Sequence, residues 1–196
     1  MIKVGIAGAS GYTGVELVKL ISNHPGARLE AITSSSYKGK PLTDIFPSMR
    51  GFESLVCEDL NARALAGRVD VMFLALPHKV SMAHAAPLLE KGIKVIDLSA
   101  DFRFSDPAAY EKTYQTHTAK DILAESVYGL SELYRDQIKT ARIIGNPGCY
   151  PTTILLALLP LIREKLIHLE GIISDSKSGV SGAGRSLSLT THYCEA

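Results

Sequence analysis

The chain has 196 residues, 46% of them hydrophobic and 21% charged, with a formal net charge of +1. This is the composition of one globular domain, or of one domain and part of another, with a real core. Near-neutral charge with scattered Lys and Arg excludes a nucleic-acid footprint, and the longest apolar run, 154–162, is too short to cross a membrane.

The first seven residues run straight into a glycine turn, so no signal peptide is expected. Three cysteines, Cys57, Cys149 and Cys194, form neither a CxxC pair nor a zinc spacing. Neither a metal site nor a disulfide framework is expected, and a reducing, cytoplasmic setting is.

In chain order, Lys3–Ala7 reads as a short apolar strand. Tyr12–Ser22 carries Val15, Val18 and Leu20–Ile21 at helical spacing and is closed by Pro25–Gly26. Leu29–Thr33 reads as a second strand, and Val69–Leu76, apolar nearly throughout, as a strand covered on both faces. Val80–Lys91 reads as a helix closed by Gly92, Ile93–Leu98 as a strand, and Ala141–Ile144 as a late strand. Gly171–Asp175 is expected to be a strand as well. Strands alternating with helices predict a parallel α/β sheet with right-handed crossovers.

Between the first strand and first helix lies Gly8-Ala9-Ser10-Gly11-Tyr12-Thr13-Gly14, a G-x-x-G-x-x-G spacing. Gly8 and Gly11 suit a tight turn that approaches a diphosphate, and Gly14 suits close helix packing. The helix N-terminus adds N–H donors and positive potential, and Ser10 and Thr13 add hydroxyls. An NAD site usually ends its second strand in an acidic residue for the ribose 2′-OH. Here Ser34, Ser36 and Lys38 follow that strand, and Glu30 lies too early. Hydroxyls and a lysine without a carboxylate point to NADP. Leu76-Pro77-His78 follows the clearest strand and is expected to border the cofactor. His24, His84, His117 and His168 have no visible partner and read as ordinary surface or half-buried residues.

Cys149 follows Asn146-Pro147-Gly148 and opens a long apolar run. A thiol in the first turn of a helix meets unpaired N–H groups and the positive end of the dipole, which favour a nucleophilic thiolate. The Asn146 amide and nearby backbone N–H groups are candidates for holding a developing oxyanion.

The opening Val-Gly-Ile-Ala-Gly-Ala-Ser-Gly-Tyr-Thr-Gly, Leu76-Pro77-His78, Ser99-Ala100-Asp101-Phe102-Arg103, Tyr128-Gly129-Leu130 and Gly145-Asn146-Pro147-Gly148-Cys149-Tyr150-Pro151-Thr152 resemble N-acetyl-gamma-glutamyl-phosphate reductase of arginine biosynthesis. The motifs stand in the family's order along essentially the whole chain. The resemblance implies a Rossmann-type doubly wound sheet over residues 1–148, then the start of an α+β catalytic and dimerisation domain over 149–196. It implies an NADPH-dependent reduction of a small acyl-phosphate substrate through a thioester on Cys149, in a homodimer or homotetramer when complete. An anionic substrate calls for cationic forks. Arg103, which Asp101 is expected to orient, is the first candidate, with Ser181 and Arg185 in a second glycine segment. That segment, Ser178-Gly179-Val180-Ser181-Gly182-Ala183-Gly184-Arg185, resembles one near the nicotinamide and the substrate phosphate. Ser178, Gly179 and Gly182 are the cofactor candidates within it.

The family's general acid/base histidine lies downstream of the segment that closes this chain, and His192 does not match its motif. The chain is therefore expected to be truncated relative to the family. Two other readings stay open: a non-catalytic NADP-binding fragment, and the homologous acyl-phosphate reduction of lysine biosynthesis, whose substrate is one methylene longer.

Overall fold

The computed structural model describes residues 1–192 and Cys194. Two compact units divide the chain, Met1–Asn146 and Pro147–Ala196.

Seven parallel strands build the first unit: β1 (Ile2–Ala7), β2 (Ala27–Thr33), β3 (Cys57–Glu58), β4 (Val71–Leu74), β5 (Lys94–Asp97), β6 (Ser126–Tyr128) and β7 (Ile143–Gly145). Their order in the sheet is β3-β2-β1-β4-β5-β7-β6. The chain therefore winds one way from β1 through β2 to β3, then returns past β1 to β4 and winds the other way. The helices between them are α1 (Tyr12–Ser22), α2 (Leu42–Ile45), α3 (Ala62–Leu65), α4 (Ser81–Glu90), α5 (Pro107–Glu111), α6 (Lys120–Leu123) and α7 (Ser131–Thr140).

The pleat divides the core. Ile6 and Ile32 point into a cluster with Val15 and Val18 of α1 and Leu42 and Ile45 of α2. Their chain neighbours Ala7 and Ala31 join a second cluster with Met72 and Leu74 of β4 and Met82, Ala85 and Leu88 of α4. Apolar residues on both faces of a strand are the signature of a sheet with both sides covered.

Helix α1 has the boundaries that its apolar spacing predicts. Strand β4 is two residues shorter at each end than the apolar run 69–76. Val69 still donates its N–H to Leu65, and the N–H of Ala75 closes the turn onto Ala7. Strand β6 pairs in parallel with β7, which places β7 between β5 and β6.

In the second unit, α8 (Cys149–Arg163) is a 15-residue helix. Its sequence is strongly apolar, yet none of its residues is fully buried. The strand expected at Gly171–Asp175 is not formed, and Ile173 is 92% exposed. A strand needs a neighbour to take its N–H and C=O groups, and no described segment of the second unit forms a ladder with this one.

Gly14 shows how tightly the first crossover is packed. A Cβ built on it would lie 2.3 Å from the Gly8 carbonyl oxygen and 2.6 Å from Ala9 Cα. Both are backbone atoms and cannot swing aside, so the glycine lets α1 pack against the turn that feeds it. Gly14→Ala is expected to lower stability by about 2–3 kcal/mol in chemical denaturation, the upper range for an overpacked core.

Candidate active site

The carboxyl ends of β1 and β4 lie side by side where the winding reverses. In open α/β sheets ligands gather in the crevice at such a point. The glycine turn follows β1 there. Gly8 has φ +80°, and a Cβ on it would lie 2.2 Å from the Ala75 carbonyl oxygen. Two backbones thus meet across the reversal with no room for a side chain. Gly8 and Ala9 both donate their N–H groups to the Thr33 carbonyl, which ties the turn to the end of β2. A Cβ on Gly11 would meet only the Gly8 carbonyl oxygen at 3.5 Å, an ordinary contact, so the space above it is open.

Helix α1 starts at Tyr12 with no side-chain cap, and Tyr12 and Thr13 are both exposed. Uncapped first-turn N–H groups beside an open glycine backbone fit a diphosphate. Of the groups after β2, Ser34 is buried and its hydroxyl lies 2.9 Å from that of Ser10, joining two loops of the crevice. Ser36 is exposed. Lys38 is exposed as well, but its ammonium pairs with Asp59.

The loop after β4 is held from β5. His78 accepts the Ala100 N–H on Nδ1 at 2.9 Å, which places its ring proton on Nε2, and its ring lies against Tyr114. Leu76 is half-buried and Pro77 exposed. Lys79 has φ +76°, and its N–H donates to Asp101 Oδ1 at 2.8 Å.

Asp101 is fully buried, and its position corrects the expectation drawn from the sequence. Its carboxylate takes the N–H groups of Lys79 and Met82 and the Tyr110 hydroxyl, at 2.8, 3.2 and 3.0 Å. It caps α4 from a distance and does not orient Arg103. With no exposed surface and its oxygens engaged, it is no substrate contact. His117 is also corrected. It is buried, donates from Nε2 to the Asp101 carbonyl at 2.8 Å, accepts the Ala119 N–H on Nδ1 and packs edge-on against Phe102 and Tyr110. Burial, then the hydrogen bond to Asp101, pushes the Tyr110 hydroxyl well above its ordinary pKa.

Arg103 is half-buried and bridges two strand ends. Its Nε donates to the Asn146 carbonyl at 2.8 Å and its Nη2 to the Leu98 carbonyl at 2.9 Å. Asn146 in turn donates its N–H to the Asp97 carbonyl at 2.8 Å. The backbone of Asn146, which ends the first unit, is thus pinned on both sides. Among the described residues the Nη1 of Arg103 makes no hydrogen bond.

Within the second unit, Cys149 is the first residue of α8 and is exposed. Gly148 provides the N-cap, with no side-chain cap, and its carbonyl takes both the N–H and the hydroxyl of Thr152. The second glycine segment is exposed throughout. Residues Val180–Ala183 form a 3-10 turn in which Gly182 donates its N–H to Gly179 and Gly184 to Ser181. A nest needs N–H groups aimed at one point. Those of Gly182 and Gly184 are used inside the turn, and neither is left for an anion. Arg185 beside it is exposed. Among the described residues no group of three or more His, Cys, Asp or Glu is placed to hold a metal, and no helix is long and apolar enough to cross a membrane.

Asp97, Lys79 and the real partners of His117 escaped the sequence reading. Asp97 is fully buried at the end of β5 and accepts from the N–H and hydroxyl of Ser99 at 3.1 and 2.7 Å. Burial pushes its carboxyl above the ordinary range. An acidic residue closing an apolar strand was the only sequence signal for it.

Residues 3–141 match the family model described as semialdehyde dehydrogenase, NAD binding domain, and residues 149–196 match semialdehyde dehydrogenase, dimerisation domain. A protein of Desulforapulum autotrophicum named N-acetyl-gamma-glutamyl-phosphate reductase is 60% identical over 195 residues, covering 100% of this chain and 56% of its own length. One of the same name from Desulfotalea psychrophila is 51% identical over the same coverage of each chain. This chain therefore spans a little over half the length of those relatives. Among solved structures, aspartate semialdehyde dehydrogenase II of Vibrio cholerae superposes with a TM-score of 0.59 at 19% identity, over 83% of this chain and 47% of that one. Aspartate semialdehyde dehydrogenase with NADP from Candida albicans gives 0.58 at 18%, over 84% and 47%. At that identity the likeness is one of fold.

Two outcomes test this geometry. Arg103→Ala leaves two strand-end carbonyls without their cationic donor and is expected to cost about 2–4 kcal/mol of stability, read by urea denaturation. Asp97 carries a pH signature. A carboxyl whose folded pKa is raised binds its proton more tightly folded than unfolded. Its contribution therefore falls as pH rises from the ordinary carboxylate pKa through the folded one. Asp97→Asn is expected to gain stability relative to the parent chain between pH 4 and pH 7; a difference that does not change with pH would refute the assignment.

Proposed function

Because the chain belongs to the semialdehyde dehydrogenase family, we propose that it carries the NADP-binding domain and the nucleophile of an enzyme that reduces N-acetyl-L-glutamyl 5-phosphate to N-acetyl-L-glutamate 5-semialdehyde and phosphate. The names of the relatives at 60% and 51% identity support the substrate. The observation that carries the chemistry is Cys149, an exposed thiol at the uncapped N-terminus of α8, three residues beyond the pinned Asn146.

The crevice fits the dinucleotide. Gly8 makes the tight turn and Gly11 leaves the backbone open to a diphosphate, the first turn of α1 offers N–H groups from Tyr12, Thr13 and Gly14, and Leu76, Pro77 and His78 are the candidates on the far side. Ser34, Ser36 and Lys38 after β2 support NADP over NAD, with Lys38 exchanging its exposed pair with Asp59 for the 2′-phosphate. When bound, the reduced nicotinamide supplies the hydride.

Cys149 sulfur attacks the acyl carbon and phosphate departs with the electron pair of the broken C–O bond, leaving a thioester. With hydride supplied to the thioester by the bound cofactor, the C–S bond would break with its electron pair on sulfur, releasing the aldehyde and returning Cys149 as the thiolate. Backbone N–H groups at the start of α8 and the Asn146 amide are suited to the oxygen charge that develops in both steps. Arg103 offers Nη1 to an oxyanion of the substrate, and Ser181 and Arg185 are further candidates for its anionic groups. Ser178, Gly179 and Gly182 are further candidates for the cofactor.

A homo-oligomer is part of this reading. The apolar but incompletely buried α8 and the match to a dimerisation domain support it. Cytoplasmic placement accords with three unpaired cysteines.

In the reverse direction, N-acetylglutamate semialdehyde, phosphate and NADP are expected to yield NADPH, and Cys149→Ser to lower the rate at least about 10³-fold, the scale for loss of a nucleophile. Equal rates in the two proteins would remove Cys149 from the mechanism. NADPH binding without turnover would favour the non-catalytic reading. A preference for the substrate one methylene longer would favour the lysine-pathway reaction.

A further inference from the structure

Lys79 is one of two described non-glycine residues with positive φ, the other being Lys165. An L-residue is strained in that region, and strain of this kind persists only where its surroundings impose it. Here they do. The Lys79 N–H is drawn onto Asp101, a fully buried carboxylate also engaged by Met82 and Tyr110. On the other side His78 is fixed to Ala100. Glycine would occupy this position without strain, yet the chain has a lysine.

The turn also lies at a particular place. It follows β4, and Ala75 at its start donates its N–H to Ala7 and crowds Gly8 across the winding reversal. Lys79 is therefore anchored on the β4 side of the crevice whose β1 side is the glycine turn. Its side chain is exposed, and among the described residues its ammonium makes no hydrogen bond or ion pair.

We propose that Lys79 binds the diphosphate of the dinucleotide, as a cation facing the glycine turn from across the crevice. The inference rests on the reading that this crevice takes a dinucleotide, and it adds a charged side chain to a site otherwise built from backbone N–H groups. The buried Asp101 is the positioning residue that holds the lysine's backbone in place.

The test measures dissociation constants of NADPH and NADH by nicotinamide fluorescence on this chain and on three variants. Lys79→Met keeps the strained backbone and removes the charge. It is expected to weaken both nucleotides about tenfold, the scale of a charge-assisted contact, and to flatten the salt dependence of binding. Lys79→Arg is expected to restore most of the loss. Lys79→Gly is expected to bind as weakly as Lys79→Met while its thermal midpoint, without ligand, stays at or above that of the parent, which separates lost contact from lost fold. Unchanged affinity in Lys79→Met overturns the proposal. So does a loss confined to NADPH, which would move the lysine to the 2′-phosphate. If the parent chain binds neither nucleotide, it is the dinucleotide reading that fails, and the inference falls with it.

Discussion

The backbones of Gly8 and Ala75 come so close that no Cβ fits between them, and the architecture around the crevice follows from that approach. It sets the first turn of α1 directly above the end of β1. It lets β4 lie against β1 on the side opposite β2, where the winding reverses. It also leaves the mouth of the crevice lined by main-chain N–H groups, which suit a diphosphate because they carry positive potential without the bulk or desolvation of a charged side chain.

A second layer of order lies beneath that mouth. Ser99 donates its hydroxyl to Asp97 and accepts the Asp101 N–H, and Asp101 caps α4 and takes the Tyr110 hydroxyl. His117 closes the chain of bonds on the Asp101 carbonyl. Buried polar groups are tolerated when every member has a partner, and a network so satisfied holds one geometry. Its consequence is positional. It fixes the loops after β4 and β5, while Arg103 fixes the ends of β5 and β7 at Leu98 and Asn146. The backbone of Asn146, which ends the first unit, is thus held by a main-chain bond to Asp97 on one side and by the Arg103 side chain on the other.

Pro147–Ala196 contrasts with this. Its one long helix is apolar without full burial, and its second glycine segment is exposed. The two units are stabilised differently, the first by two cores flanking a sheet and the second chiefly by local helical and turn bonds.

The sequence by itself determined what depends on near neighbours along the chain. Helical spacing marked α1 to the residue, the glycine spacing marked the turn before it, apolar runs marked β1, β4 and β5, and Pro147-Gly148 marked the start of α8. Short edge elements such as β3 and β6 escaped, because two or three residues carry too little pattern and are strands only through their partners. The expected strand at Gly171–Asp175 shows the converse, an apolar segment with no ladder to join. Tertiary structure alone decided what the polar residues do. Asp101 meets Lys79 across 22 positions and Arg103 meets Asn146 across 43. Hydrogen-bond partners at such separations are chosen by how the crossovers bring loops together, and no local periodicity encodes that choice.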